Sequence, residues 1–180
     1  ISFEPAEVSL QAPQEDQGPR QAFTAFEARL ALLADSSRPQ AVAKRHQSGG
    51  RTARENIEDL FDQDSFTEYG AFAVAAQRSK RPLTELQSRT QGDGIICGTG
   101  TVEGRPVAAM AVDYMVLAGT QGYNHHRKMD RLIERAERDN LPIVLFAEGG
   151  GGRPNDYDLA PLMVAGLNVP SFRHFAAYKG

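Results

Sequence analysis

Residues Leu141 to Asp156, LPIVLFAEGGGGRPND, place a run of apolar residues almost directly before four consecutive glycines. The run from Ile143 to Ala147 has the length and composition of a fully buried strand. Ordering a glycine costs more backbone entropy than ordering any other residue, so a series of glycines is expected where bare main chain is needed. The stretch therefore predicts a strand followed by a loop whose backbone approaches another group closely.

Several functions compete for the loop Gly149–Gly152. A phosphate-binding loop of the GxxxxGK[ST] type is not supported, because no lysine follows the glycines. A dinucleotide fingerprint needs a βαβ unit with an acid about 20 residues further on, and none is evident. A plain surface loop and an oxyanion site remain. In an oxyanion site, exposed backbone amides hold a developing negative oxygen, and a following helix start adds its dipole.

The segments before this strand predict an α/β layered core. Residues 95–117 have the pattern of two strands around a Glu103-Gly104 turn. A helix is expected from Tyr123 to about Arg138, with Asn140 at its end, because its apolar residues recur at helical spacing. A last helical pattern runs from about Leu159 and is interrupted near Pro170. The order β-β-α-β-loop-α is typical of a layered α/β domain.

The N-terminal third predicts an arm of helices. The first 20 or so residues are rich in proline and polar residues and indicate a linker. An amphipathic helix is expected from Gln21 to Ala34. Thr52 and Glu55 form a capping box that predicts a second helix ending near Asp62.

Composition excludes several classes of function. The 180 residues are 41% hydrophobic and 24% charged with a net charge of −3, which does not favour nucleic acid or an anionic membrane as partner. No apolar run approaches the roughly 20 residues of a spanning helix, and no signal peptide is visible. The single cysteine, Cys97, is expected to be a small buried strand residue and fits a cytoplasmic protein. The start at Ile1, without methionine, suggests a piece of a longer chain.

A series of ordered motifs resembles the carboxyltransferase domains of biotin-dependent acyl-CoA carboxylases. The stretch GGRTARENIEDLFDQDSFTEYG is similar to that family's Gly-Lys-x-Thr-Ala-Arg-Glu helix start and its Asp-x-x-Ser-Phe-x-Glu turn. The likeness continues through GDGIICGTGTVEGRPVAAMAVDYMVLAGTQG and through the glycine loop, where the family's Ser-Gly-Gly-Ala-Arg becomes Gly149–Arg153. Gly50 stands where the family often has lysine. The nearest variety is that of bacterial acetyl-, propionyl- and long-chain acyl-CoA carboxylases.

The resemblance implies a crotonase-like ββα spiral core, incomplete in this chain and preceded by an N-terminal helical arm. The expected division is a linker or arm over residues 1–18, a helical arm with the capping-box helix over 19–62, and the first part of the carboxyltransferase domain, truncated at its C-terminus, over 63–180. By position, the amides of Gly150 and Gly151 are expected to hold the thioester oxygen. Gly149, Gly152, Arg51, Arg54 and Lys128 are expected around bound CoA.

The resemblance also implies the reaction and its partners. The family transfers a carboxyl group from carboxybiotin to the α-carbon of an acyl-CoA, with no protein nucleophile and no metal in this segment. Biotin would sit on a separate carrier domain, ATP would be used only at a separate biotin carboxylase domain, and the enzyme would be a homo-oligomer. An acyl-CoA decarboxylase and a non-catalytic CoA-binding or assembly fragment are the alternatives. This chain alone is expected to be inactive.

Several polar side chains carry separate expectations. His125 and His126 are adjacent on a helix, so they are poor joint metal ligands and are expected to be exposed. Lys128 is expected to meet CoA phosphates or solvent. Arg51 and Arg54 would contact CoA or form salt bridges. Glu148 is expected to orient the glycine loop. Asp113 lies in an apolar strand and therefore needs buried partners.

Overall fold

The protein's structure, a computed structural model, describes residues 20–153, 156, 158 and 170–179. The linker expected over residues 1–18 and the helical pattern at 159–169 lie outside the described residues. The helices are α1 (Gln21–Ala31), α2 (Pro39–Gln47), α3 (Ala53–Leu60), α4 (Leu83–Arg89), α5 (Tyr123–Asp139) and α6 (Pro170–Ala177). The strands are β1 (Thr67–Tyr69), β2 (Ile95–Val102), β3 (Arg105–Val112) and β4 (Ile143–Phe146). The α/β class is confirmed.

The hairpin between β2 and β3 is the local unit that organises the sheet. Val102 pairs with Arg105 and Ile95 with Val112 in an antiparallel register. The two residues of the turn, Glu103 and Gly104, have φ angles of 50° and 74°. A tight two-residue hairpin turn requires positive φ at both central residues, and glycine at the second position lowers the free-energy cost of that conformation. The predicted hairpin is therefore confirmed.

The sheet of the described residues has the order β1-β2-β3-β4. β3 and β4 are parallel, with Ala108 opposite Ile143 and Ala111 opposite Phe146, and α5 forms the crossover between them. Because the two strands run in the same direction, the segments that follow them leave the sheet at one edge. This places the residues after Val112 and the residues after Phe146 next to each other.

The two faces of the sheet carry different layers. Alternate residues of β2 and β3, such as Cys97 and Met110, pack against α5. The residues between them, such as Ile96 and Ala109, pack against α3. This alternation is the period-two pattern of a sheet buried on both faces. The hairpin is therefore the central layer between two helices.

The helix α3 is part of this core. Ala53, Ile57 and Phe61 are buried against the second face of the sheet. The expected boundary at residue 62 therefore runs through a packed layer, and a separate N-terminal helical arm is not confirmed. By contrast, α1 exposes the apolar residues of its expected buried face, since Phe23 and Leu30 are half exposed.

The start of α3 forms as predicted. Thr52 Oγ1 accepts the amide of Glu55 at 3.0 Å, and the amide of Thr52 donates to Glu55 Oε2 at 2.8 Å. These two bonds satisfy amides that otherwise have no partner at a helix start. Thr52 Oγ1 also donates to Asp35 Oδ2 at 2.5 Å. The capping box is therefore confirmed and is tied to the preceding segment.

Two expected boundaries differ in detail. The strand β4 ends at Phe146 and lies at the edge of the described sheet, so it is only partly buried and Leu145 is 40% exposed. The expectation of a fully buried strand is wrong, because composition does not distinguish a central strand from an edge strand. The helix α5 runs to Asp139, and Asn140 ends it in the left-handed conformation, as predicted. No described helix is both long enough and apolar enough to cross a membrane.

Candidate functional site

Two loops meet at the edge where β3 and β4 end. The first follows Asp113 and reaches Gly122, and the second contains the glycines Gly149–Gly152. Gly119 touches Gly149 backbone to backbone, since a Cβ atom on Gly119 would lie 2.9 Å from Gly149 Cα. No side chain fits between the two, and this explains the need for glycine at both positions. The parallel pairing of β3 with β4 creates this contact.

The first loop holds an unusual backbone. Leu117, Ala118 and Gly119 have φ angles of 49°, 54° and 68°. Left-handed φ costs an L-residue roughly 1–3 kcal/mol, and such strain is concentrated at functional sites. This conformation turns the chain so that the first loop lies against the second loop. No feature of the sequence indicated the left-handed φ angles at Leu117 and Ala118.

The glycine loop presents free amide groups. Gly149 to Gly152 are all exposed. Among the residues that the structure describes, no acceptor takes the N–H groups of Gly150, Gly151 or Ala118. A Cβ atom on Gly150 would have only one neighbour within 4 Å, at 3.8 Å, and one on Gly151 would have none. The space beside these amides is open, as an oxyanion site requires.

The end of the glycine loop is joined to the first loop by main-chain hydrogen bonds. The amide of Gln121 donates to the oxygen of Gly151 at 2.8 Å, and the amide of Arg153 donates to the oxygen of Gln121 at 2.8 Å. Gln121 and Gly152 thus form an isolated parallel bridge. The carbonyl of Gly151 is used by this bridge, which fixes the plane of the peptide group between Gly151 and Gly152.

The beginning of the glycine loop is fixed by an ion pair. Glu148 accepts a hydrogen bond from Arg45 Nη2. The same guanidinium donates through Nε to the oxygen of Arg51 at 2.8 Å and lies 5.2 Å from the centre of the Tyr114 ring. Glu148 therefore has a partner, Arg45, that can hold the start of the glycine loop in place. The expected role of Glu148 in orienting the loop stays a prediction. Arg45 links the loop to the residues just before the capping box.

The end of the loop is fixed by a buried network of charges. Arg153 is 9% exposed and bonds to the carboxylates of Asp93 and Asp156, which are 0% and 3% exposed. Burial raises the pKa of Asp93 despite the neighbouring guanidinium. The hydrogen bonds to Asp156 and the charges of both carboxylates raise the pKa of Arg153 against the effect of burial. A buried guanidinium is tolerated only with such partners.

Asp113 has the buried partner that its position demands. Its Oδ2 accepts from Arg38 Nη1 at 2.7 Å, and its Oδ1 accepts the amide of Met115 at 2.9 Å. Arg38 also pairs with Asp35 at 3.1 Å. Asp113 therefore anchors the start of the strained loop to the segment before α2.

Arg51 and Arg54 both form salt bridges, one of the two expected alternatives. Arg54 bonds to Glu68 at 3.1 Å and to the oxygen of Leu33, with only 23% of its side chain exposed. Arg51 pairs with Asp59 at 2.9 Å, and both side chains are more than half exposed. An exposed pair is worth little, so Arg51 can exchange its partner for an anion. Contact of either residue with CoA stays a prediction.

Lys128 does not lie where it was expected. It is 9% exposed, and its Nζ donates to the backbone oxygens of Gly92, at 2.9 Å, and Ile95. Burial lowers the pKa of Lys128. The expectation of a solvated or phosphate-binding lysine is corrected, because its ammonium group is used to satisfy two buried carbonyl groups. The neighbouring thiol of Cys97 is fully buried, as predicted, and burial raises its pKa to about 12.

The two histidines are also buried, contrary to expectation. His125 is 0% exposed and His126 is 7% exposed. Burial lowers the pKa of both, and that of His125 falls to about 3. His125 lies four residues before Met129 on the apolar face of α5, and this spacing was the available signal for its burial. The described residues contain no cluster of three or more metal-ligating side chains.

A second concave surface lies along α5. It is a cleft of about 600 Å³ beside β1, and its rim carries Arg127, Arg131, Arg135 and Arg138. Arg135 and Arg138 both pair with Asp139, and Arg127 lies over the ring of Tyr123. The cleft therefore has basic character, but most of its arginines already have partners.

Sequence reasoning found the glycines and missed the side chains that hold them. Arg38 and Arg45 lie in segments with no strong motif, and Asp93 lies in a motif that does not reveal its partner. Their partners are between 60 and 103 residues away in the chain. Arg153 and Asp156 follow the glycines directly. Arg153, a basic residue directly after the glycines, was the available sequence signal that a buried ion pair fixes the end of the loop.

Comparison with known proteins gives the family. Residues 44–158 match the carboxyl transferase domain family. The chain is 37% identical over 114 residues to the propionyl-CoA carboxylase beta chain of Saccharopolyspora erythraea, covering 63% of this chain and 20% of that one. It is 33% identical over 129 residues to the methylmalonyl-CoA decarboxylase subunit alpha of Veillonella parvula, covering 69% and 24%.

A solved structure gives the same result. A single-chain, multi-domain long-chain acyl-CoA carboxylase is similar with a TM-score of 0.79 and 48% identity over 89% of this chain and 16% of that chain. The chain thus spans about a fifth of the length of the curated relatives described. The family match, over residues 44–158, includes the hairpin, α5 and the glycine loop. The chain belongs to the carboxyl transferase domain family.

Proposed function

We propose that this chain forms the acyl-CoA side of a carboxyltransferase in a biotin-dependent acyl-CoA carboxylase. The observation that carries the proposal is the glycine loop, which is exposed, has amides without acceptors among the described residues, and is fixed at both ends by ion pairs. A loop fixed before the substrate arrives is the arrangement that stabilises developing charge most effectively.

The chemistry follows from where charge appears. Removing the α-proton of an acyl-CoA moves negative charge onto the thioester oxygen. In the proposal, the N–H groups of Gly150 and Gly151 donate to that oxygen, and the amide of Ala118 in the strained loop is a further donor. Each such donor contributes about 2.7–4 kcal/mol of transition-state stabilisation. Carboxybiotin, on a separate carrier domain, would supply the carboxyl group as CO2 when its N–C bond breaks. The ureido anion that remains would take the α-proton, and the enolate carbon would then bond to the CO2.

The remaining residues have supporting roles. Gly149 and Gly152 keep side chains away from the bound thioester, since both are exposed beside the two donors. Arg51 is the best candidate for a CoA phosphate, because its guanidinium is half exposed and its partner Asp59 is exposed as well. Arg54 and Lys128 donate hydrogen bonds to backbone oxygens of the protein itself. They would support the site by fixing the surrounding structure and would not contact CoA.

Further segments of the carboxyltransferase would complete the crotonase-like ββα spiral. Residues 63–180, together with α3 that packs on the sheet, would be the first part of that domain. A biotin carboxylase domain would use ATP elsewhere in a cytoplasmic homo-oligomer. The support is the short share of each relative that this chain spans.

A second candidate is the decarboxylase direction of the same chemistry. The likeness to the decarboxylase subunit of Veillonella parvula favours it. Both reactions pass through the same enolate, so the glycine loop would serve both. The direction depends on the partner subunits and not on this loop.

The experiment is an isotope transfer assay on the full-length protein that contains this chain. Carrier domain charged with ¹⁴C-carboxybiotin is mixed with acetyl-CoA, propionyl-CoA or a long-chain acyl-CoA. The proposal predicts acid-stable label on one acyl-CoA. Label retained on biotin with all three acyl-CoAs, in a folded protein, would contradict it, whereas release of CO2 from a carboxyacyl-CoA without label uptake would favour the decarboxylase.

A further inference from the structure

We infer that Arg153 is a positioning residue that fixes the glycine loop against the start of α5, and so aligns the amides of Gly150 and Gly151 before substrate binds. The inference rests on the proposed function for its catalytic consequence. Its structural part stands on the contacts of the guanidinium alone. Arg153 follows the glycine run directly, so any movement of its side chain is passed to the loop.

Two carboxylates connect Arg153 to the helix. Asp93 Oδ2 accepts the amide of His125 at 2.8 Å while its Oδ1 accepts from Arg153 Nη2. Asp156 Oδ2 accepts the amide of Tyr123 at 2.7 Å while its Oδ1 accepts from Arg153 Nε at 2.8 Å. Each carboxylate therefore accepts a free amide of the first turn of α5 on one oxygen and bonds to Arg153 through the other, and Asp156 Oδ2 also accepts from Arg153 Nη2 at 3.4 Å. Anions are favoured at a helix start, which strengthens both contacts.

The same arginine also holds the first loop. Its Nη1 donates to the oxygen of Thr120 at 3.1 Å, and its own amide donates to the oxygen of Gln121 at 2.8 Å. The amide of Gln121 in turn donates to the oxygen of Gly151. One residue thus joins the glycine loop, the strained loop and α5.

The backbone at Gly122 packs directly against the guanidinium of Arg153. A Cβ atom on Gly122 would overlap the Arg153 guanidinium and would lie 2.5 Å from Asp156 Oδ2. The guanidinium supplies donors in several fixed directions at once, and it uses Nε, Nη1 and Nη2 here. A lysine ammonium has one nitrogen and cannot reproduce that geometry, so Arg153→Lys is not conservative at this position.

The expected consequence is specific to turnover. The loop amides act on the charge that develops in the transition state, so their misplacement lowers kcat and leaves ground-state binding of acyl-CoA almost unchanged. A displacement of about 1 Å in a catalytic group can cost about 10²-fold in rate. A purely structural role would lower the amount of active enzyme without changing kcat per active site.

The experiment combines hydrogen exchange with kinetics in the full-length carboxyltransferase. The variants are Arg153→Met and Arg153→Lys, with Asp156→Asn as a milder change if either fails to fold. Arg89→Met is the control, because Arg89 is exposed and pairs with Glu85 on its own helix. Exchange is followed in peptides spanning residues 116–124 and 147–153, with β3 as the internal reference.

We expect Arg153→Met and Arg153→Lys to raise exchange at Gln121 by about tenfold or more, to lower kcat per active site by at least about tenfold and to change the KM for acyl-CoA by less than about threefold. Unchanged exchange in both peptides would overturn the positioning role. Raised exchange with unchanged kcat would instead overturn the oxyanion role of the loop, so the two failures are distinguishable.

Discussion

The backbone of Gly149 lies directly against the backbone of Gly119, so that a Cβ atom on Gly149 would lie 2.7 Å from Gly119 Cα. This contact joins the loop after β3 to the loop after β4. It exists because β3 and β4 are parallel neighbours whose ends lie at one edge of the sheet. The free amides of the candidate site are presented from this junction.

We predict that Gly149→Ala lowers the free energy of unfolding by more than the left-handed backbone strain alone would. Gly149 has a φ of 104° and no room for a methyl group, whereas Gly104 has a φ of 74° and open space around its Cα, with nothing within 4 Å of where a methyl group would lie. Left-handed strain costs about 1–3 kcal/mol, and overpacking adds about 1–3 kcal/mol. Chemical denaturation of Gly149→Ala and Gly104→Ala measures the difference. Equal losses would mean that the Gly119 contact is absent.

We predict that Thr52→Ala lowers the free energy of unfolding by about 0.5–2 kcal/mol. The change removes the acceptor for the Glu55 amide and the donor to Asp35. Thr52→Ser is the matched control, because it keeps the hydroxyl. Denaturation midpoints of the two variants provide the test. Unchanged stability with weakened CoA affinity would identify this segment as a binding element instead.

We predict strong coupling between Arg38 and Asp113. Both side chains are nearly buried and lie 2.7 Å apart, so removing Asp113 leaves Arg38 with Asp35 as its remaining carboxylate partner, at 3.1 Å. Asp113→Ala should therefore be destabilising, but by less than the roughly 3–5 kcal/mol of a fully unpaired buried charge. A double-mutant cycle with Arg38→Met measures the coupling. Additive losses in the double variant would be inconsistent with a direct ion pair.

We predict that acid weakens the fold through His125. Its pKa is about 3 in the folded protein because of burial, against about 6.5 in an unfolded chain. Between these values the unfolded chain binds a proton that the native protein does not, so stability falls as the pH falls from about 6.5 towards about 3. The expected contribution is about 1 kcal/mol per pH unit.

The comparison is between His125→Gln and the wild type. Unfolding free energies are measured between about pH 4 and about pH 7, where the unfolded histidine titrates. His125→Gln should flatten the slope of stability against pH. Parallel slopes for the two proteins would show that His125 is not held neutral.

The sequence predicted the parts of the fold that depend on local pattern. The hairpin at Glu103-Gly104, the capping box at Thr52 and the end of α5 at Asn140 are each specified by a few neighbouring residues, and each formed as expected. The glycine loop was found because glycine in series has few structural uses. These features need no knowledge of tertiary contacts.

The parts that could not be predicted depend on distant partners. Lys128 lies on the apolar face of α5, and its burial is possible only because the backbone oxygens of Gly92 and Ile95 accept from it. The strain at Ala118 has no signature in its residue type. The ion pairs of Arg45 and Arg153 join segments far apart in sequence. Such contacts follow from the strand order and not from local spacing.

The central claim is that the amide of Gly150 stabilises the thioester enolate. Gly150 is suited to the test because its φ lies outside the left-handed region and a methyl group there meets only Thr120, at 3.8 Å. Gly151 is less suited, since its φ of 88° would be incompatible with proline. Gly150→Ala keeps the amide donor, and Gly150→Pro removes it.

The decisive measurement is kcat per active site for both variants in the full-length carboxyltransferase, with folding checked by thermal unfolding. The account predicts that Gly150→Pro lowers kcat by about 10²–10³-fold, while Gly150→Ala stays within about tenfold of the wild type, since one methyl group in open space removes no donor. A folded Gly150→Pro enzyme with the turnover of Gly150→Ala would contradict the claim.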